Sequence, residues 1–303
     1  MNGAQIATAA RRQKTVIPRR SGRQNALDTG FRLLMYGALG IAFVGLGAII
    51  YDFSSDGLKV LSWDFLTSFP SRVIPENAGI QSAIVGTIYL MVLCTIFVVP
   101  LGVMTAVYLE EYADRERWFN RLIEVNIQNL AAVPSVVYGI LGLAFIVRGP
   151  LGLGPVLLAG AITLSLLVLP VVIIVAREAI RAVPPSIREG SLALGATQWQ
   201  TIWKQVLPGS IAGIATGVIL ALSRAIGETA PLLVIGAGFS LRFNPTGLDS
   251  SFTALPMQIF TWTKDADQDF IARAAGAIVV LMALLLLMNS VAIWLRNRYE
   301  QKW

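Results

Sequence analysis

Two ionisable residues stand four apart in a long apolar run, Arg224 and Glu228, within Leu220-Ala221-Leu222-Ser223-Arg224-Ala225-Ile226-Gly227-Glu228-Thr229-Ala230-Pro231. On a continuous helix, this spacing puts both side chains on one face. An ionised Arg at bilayer depth costs about 2.5–3.5 kcal/mol on insertion scales, so it comes with a partner or a purpose. Two readings follow. Glu228 neutralises Arg224 and the pair pins helix packing, or the two line a path for a polar or anionic solute. The planar fork of an Arg donates two parallel hydrogen bonds, which suits tetrahedral oxyanions. Gly227 and Pro231 permit local bending that could widen or close such a path.

The second constellation is a polar stretch between apolar runs, from Pro184 to Pro208. Ser186 with Glu189 three residues on has the spacing of a capping box, and Ile187, Leu192 and Leu194 give a short helix its apolar face. Gly195 suits a turn that needs a left-handed residue. Trp199, Ile202 and Trp203 form a second short amphipathic element, and Pro208 marks entry to the next apolar run. A compact helix-turn-helix of this kind is a surface built to be gripped. Trp199 and Trp203 read either as an interfacial aromatic belt or as knobs for a partner's groove. Gln128-Asn129-Leu130-Ala131-Ala132-Val133-Pro134-Ser135 reads as a capped, kinked helix start. Glu110-Glu111-Tyr112-Ala113-Asp114-Arg115-Glu116-Arg117 reads as a solvated helix end.

The absences narrow the chemistry. The chain holds no His, the commonest catalytic base and metal ligand, and its single Cys94 lies in an apolar run. Lys14-Thr15 is the one Lys followed by Ser or Thr, and it lacks the glycines of a nucleotide-binding P-loop. No nucleophile, base and acid set is visible, so the chain reads as a non-enzyme, and any ATP use must come from another chain.

The elements that position these residues are membrane spans. Of 303 residues, 55% are hydrophobic and only 14% charged, and mean hydropathy is +0.67, outside the soluble range. The expected fold is an all-α polytopic membrane bundle with six transmembrane helices, at about 32–51, 81–109, 127–147, 154–176, 210–238 and 273–295. Pro100, Pro134, Pro170 and Pro231 interrupt four of them. Residues 1–30 form a basic polar tail, with no cleavage pattern of a signal peptide. With the N-terminus inside, cytosolic segments carry 17 Lys and Arg against 6 outside, with Arg224 in a span. Both termini and the 184–208 loop are therefore expected in the cytosol of a cytoplasmic-membrane protein, and the basic balance records topology rather than nucleic-acid binding. Eight acidic residues leave the outer face net negative, so an anion would need delivery rather than a positive funnel.

Glu189-Gly190-Ser191, three residues, Gly195, nine residues and Gln205-Val206-Leu207-Pro208 resemble the EAA loop of ABC importer permeases. The chain departs from that pattern at Gly190 and Ser191, where Ala is usual, and at Gln205, where Ile is usual. Val133-Pro134-Ser135-Val136-Val137-Tyr138-Gly139, Arg224 to Leu233 and Ala254-Leu255-Pro256-Met257-Gln258-Ile259-Phe260 are similar to segments of the PstA-type permeases of bacterial phosphate importers. The resemblance runs from about Gly57 to Asn297. It implies a type I importer permease of MetI-like fold, covering 31–303, with no cofactor of its own. ATP and Mg would be bound by a partner ATPase dimer. A PstC-type permease and an external phosphate-binding protein would complete the assembly within membrane lipid. It implies a substrate pathway past Arg224, Glu228 and Thr229. Coupling to the ATPase would fall to Glu189, Gly190, Ser191, Gly195, Leu207 and Pro208. A permease for another oxyanion, such as sulfate or molybdate, a secondary transporter or channel, and a membrane scaffold reporting phosphate to a sensor are the competing readings.

Overall fold

A computed structural model of the chain describes residues 22–71, 73–114, 116–238 and 240–299, so most of the basic tail, 1–21, lies outside the described residues. Helix α1 runs Gly22–Val60, longer than the 32–51 expected and taking in the end of the tail segment. The chain divides into two units, one up to Asp52 and a second that begins at Phe53. A short helix α2 (Trp63–Thr67) follows, capped by the Ser62 hydroxyl accepting from the Phe65 amide. Helix α3 covers Gln81–Val107 and widens into a π turn, Tyr108–Tyr112. Helix α4 (Trp118–Ala131) and helix α5 (Ser135–Leu141, continued by a π turn over Gly142–Val147) are bent by 108° at Pro134.

Helix α6 spans Leu157–Arg181. The loop helices are α7 (Pro185–Ala193) and α8 (Gln198–Thr201). A π turn over Ile202–Val206 then leads without a break into α9 (Leu207–Ala225). After it come α10 (Ala230–Val234), α11 (Leu255–Thr263) and α12 (Gln268–Tyr299). Among the described residues, five helices are long and apolar enough to cross a membrane, and the bent α4–α5 pair makes a sixth crossing if it counts as one. Among the described residues, the strand-type pairing is a single bridge between Val156 and Ser251.

The core of the second unit is α3 against α6. Leu90, Cys94 and Val98 meet Leu164, Val168 and Val172 in one buried cluster. Hydroxyls inside these helices fold back on their own backbone: Thr87 donates to the Ala83 carbonyl, Thr95 to Met91 and Thr163 to Ala159, each at 2.7 Å. Such local bonds keep a polar group affordable in an apolar setting. Pro100 and Pro170 lie inside helices that stay continuous.

A separate cluster roots the loop. Ala106 of α3, Ala176 and Ile180 of α6, Val183 and Val206 at the two feet of the loop, and Ile214 of α9 pack together. Full burial of a Val contributes about 1.5–3 kcal/mol, so both feet are fixed while the loop between them projects.

Candidate functional site

The expected Arg224–Glu228 pair forms, but not on one helix. Helix α9 ends at Ala225, and Glu228 follows in the turn that links it to α10. The span expected over 210–238 is therefore a helix followed by a break at 226–229. Pro231 opens the short helix α10 instead of bending a longer one, because a residue without an amide hydrogen is best placed in a first turn. Arg224 Nε lies 3.4 Å from Glu228 Oε1, with the Arg side chain 49% exposed and the Glu 16%. Glu228 thus anchors one edge of a half-exposed guanidinium. Arg224 also sits in the last turn of α9, where a cation complements the helix dipole. Thr229 is the N-cap residue of α10 and makes no side-chain capping bond.

The break is held from one side by α5. A Cβ on Gly139 would stand 2.8 Å from Pro231 Cα and 3.2 Å from the Pro231 carbonyl, so the absent side chain lets α5 seat directly on α10. The neighbouring Tyr138 hydroxyl donates to the Leu130 carbonyl at 2.8 Å and ties the two arms of the 108° bend together. The segment expected to open a span as a kinked helix start is therefore the end of α4 and the corner itself. Tyr138 and Gly139 carry the geometry of the site, and local polarity alone does not single them out.

The loop forms two helices as expected, with different caps. Pro184 occupies the N-cap of α7 and makes no side-chain cap bond, so the capping box expected at Ser186 and Glu189 is absent. Starting the helix at Pro185 puts Ser186 inside the first turn. The capping box sits at α8, where Thr197 accepts from the Gln200 amide and the Gln200 side chain accepts from Thr197. Gly195 takes φ +85°, as its position between two helices requires. Glu189 and Gly190 are exposed, while the Ser191 hydroxyl lies 2.9 Å from that of Thr201 and joins α7 to α8. Leu207 and Pro208 are half-buried in the first turn of α9, so they belong to the shaft and not to the projecting loop. Trp199 and Trp203 stack at 5.6 Å between ring centroids, and both are exposed. A cleft of about 410 Å³ opens between the loop helices, lined in part by Ile187, Gly190, Leu194 and Lys204.

Glu110 and Glu111 correct the sequence reading most sharply. They do not form a solvated helix end. The Glu110 side chain is 3% exposed, with Arg177 at 2.9 Å and Arg181 at 2.6 Å, and Arg177 also reaches Glu124 at 3.0 Å. Glu111 receives Arg188 of α7 at 2.8 Å. Buried carboxylates facing guanidiniums are screened far less than surface pairs, and each Arg here makes more than one bond. Among the described residues, no group of three or more His, Cys, Asp or Glu could hold a metal ion.

The second unit is a bundle of membrane-crossing helices with a rooted, projecting loop at one end and a charged break in the shaft that continues it. That is the architecture of a membrane transport component. Residues 98–303 match the family described as binding-protein-dependent transport system inner membrane component, and the chain belongs to that family. It is 32% identical over 288 residues to the probable ABC transporter permease protein YqgI of Bacillus subtilis (strain 168), covering 91% of this chain and 96% of that one. It is 34% identical over 226 residues to the phosphate transport system permease protein PstA 1 of Mycobacterium tuberculosis (strain ATCC 25618 / H37Rv), covering 74% and 72%. A solved bacterial alginate ABC transporter, in complex with an alginate pentasaccharide-bound periplasmic protein, superposes with a TM-score of 0.65 at 17% identity, over 91% of this chain and 98% of that one. The fold is that of the type I ABC importer permeases.

Proposed function

We propose that this chain is the PstA-type permease subunit of an ATP-driven phosphate importer. One observation carries the mechanism: an uninterrupted helical shaft joins the projecting loop to Arg224. From Leu207 to Arg224 it is about 26 Å at 1.5 Å per residue, so a displacement of the loop becomes a displacement of the charged break. The phosphate-transport names of relatives supply the cargo. The planar donors of Arg224 suit that anion.

In this reading the loop at 184–208 lies in the cytosol, as do both termini, by the excess of Lys and Arg on that side. An ATPase dimer binds ATP and Mg and grips the exposed faces of α7, α8 and the π turn after it, including Glu189, Gly190 and the stacked Trp199 and Trp203. A PstC-type permease completes the pathway, and an external phosphate-binding protein delivers phosphate past the acidic outer face. Closure of the ATPases pushes the loop and moves α9, and Arg224 offers phosphate a transient charge-assisted contact. Glu228 competes for the same guanidinium and keeps that contact weak enough to release. Thr229 lies on the same path.

Arg224→Gln in an assembled complex tests the pathway role. A hydrogen bond to a charged group contributes about 1.5–3 kcal/mol, so phosphate uptake should fall about ten- to a hundredfold. Uptake at the wild-type rate contradicts it.

A further inference from the structure

The shaft is one connection between the loop and the bundle. A second one converges on Glu111. Arg188 of α7 donates to Glu111 Oε1 through Nε at 3.1 Å and through Nη2 at 2.8 Å. Gln198, in the first turn of α8, donates to the Glu111 backbone carbonyl at 2.6 Å. Both halves of the loop therefore hold the same residue, one by its side chain and one by its backbone. Glu111 lies in the π turn that ends α3, where the last carbonyls have no partner within the helix. Single π turns recur at functional positions because they free backbone groups for outside partners.

Arg188 also reaches the end of α6. Its Nη1 donates to the Val183 carbonyl at 2.6 Å and its Nη2 to the Ile180 carbonyl at 2.8 Å. All three nitrogens are engaged, and the charge sits at the negative end of the α6 dipole. The Arg188 side chain is 23% exposed and that of Glu111 10%, so water and salt screen the pair weakly.

We infer that Glu111 is a relay residue, through which displacement of the loop is passed into α3 at the same time as it is passed along α9. This rests on the reading of the chain as an ATP-coupled importer, and it assigns a role that the exposed coupling residues do not fill. With the shaft alone, α9 would slide against its neighbours. With Arg188, Glu111 and Gln198 engaged, α3 moves with it, and the α3–α6 core turns as one body. Glu111 is a positioning residue, since it acts through the helices and touches neither phosphate nor nucleotide.

The test is the amount of phosphate imported per ATP hydrolysed, by the whole complex in liposomes with its external phosphate-binding protein. Glu111→Gln and Arg188→Gln should each lower that ratio about tenfold, and the double variant should lower it no further, as expected of residues that act as one link. Gln198→Ala, at an exposed position, removes only the bond to the Glu111 carbonyl and should lower the ratio about threefold. A residue that merely steadies the fold would reduce the amount of complex and leave the ratio alone. Wild-type ratios in Glu111→Gln and Gln198→Ala, or losses that multiply in the double variant, overturn the relay. If Glu111→Gln does not assemble, a wild-type ratio in Gln198→Ala is enough to overturn it. A wild-type complex that hydrolyses ATP without importing phosphate overturns the importer reading itself, and the relay with it.

Discussion

Two glycines five residues apart in the loop should respond in opposite ways to the same added methyl group. At both Gly190 and Gly195 an added Cβ meets nothing within 4 Å, so packing is removed from the comparison. Gly190 lies inside helix α7 with ordinary helical geometry, and Gly in a helix interior is about 0.5–1 kcal/mol worse than Ala. Gly190→Ala should therefore stabilise α7 by that amount, which slows exchange of its backbone amide hydrogens about two- to fivefold. Gly195 has φ +85°, a left-handed conformation that costs an L-residue about 1–2 kcal/mol. Gly195→Ala should raise exchange in the same helix and in the following turn about five- to thirtyfold. Hydrogen exchange on the purified chain, followed by mass spectrometry of the 184–208 segment, reads both effects. Protection that changes in the same direction in the two variants would refute the account of the turn.

Other perturbations act through contacts rather than backbone freedom. Gly139→Ala drives a methyl group into the Pro231 backbone, which cannot move as a side-chain tip would, and should cost about 1–3 kcal/mol; a thermal melt at or above the wild-type midpoint would show that α5 and α10 are not in close contact. Arg177→Gln removes one of the guanidiniums that face the buried Glu110 and keeps Arg181 at 2.6 Å. The cost should be about 2 kcal/mol, below the roughly 3–5 kcal/mol of a fully orphaned buried charge, and is read as a lowered melting temperature with Arg181→Gln as the milder comparison.

Local physics explains what the sequence disclosed. A span is recognisable because each of about twenty residues must be apolar on its own account, whatever packs beside it. The turn at Gly195 is equally local, since one residue must be left-handed. The end of α9 was harder to see. Ile226 and Gly227 continue the apolar run, and Pro231 is as compatible with a kink as with a new helix, so only the tertiary seat of Gly139 on Pro231 separates the two. Ser186 and Glu189 have the spacing of a capping box, but two prolines before them start the helix two residues too early for it. Glu110 and Glu111 were invisible for a different reason. Their arginine partners stand 67 and 77 residues further along the chain, and no local pattern marks a carboxylate that will be buried by a distant helix. The i, i+4 spacing of Arg177 and Arg181 at the end of an apolar run is the one trace of that network in the sequence.

The most direct test of the central claim is ATP hydrolysis by the complex purified with its partner subunits, measured with and without phosphate-loaded external binding protein. Stimulation by phosphate, and none by sulfate or molybdate, is the result expected of a phosphate importer whose loop couples transport to a partner's ATPase. Hydrolysis indifferent to phosphate, or phosphate movement by this chain with the ATPase removed, would contradict it.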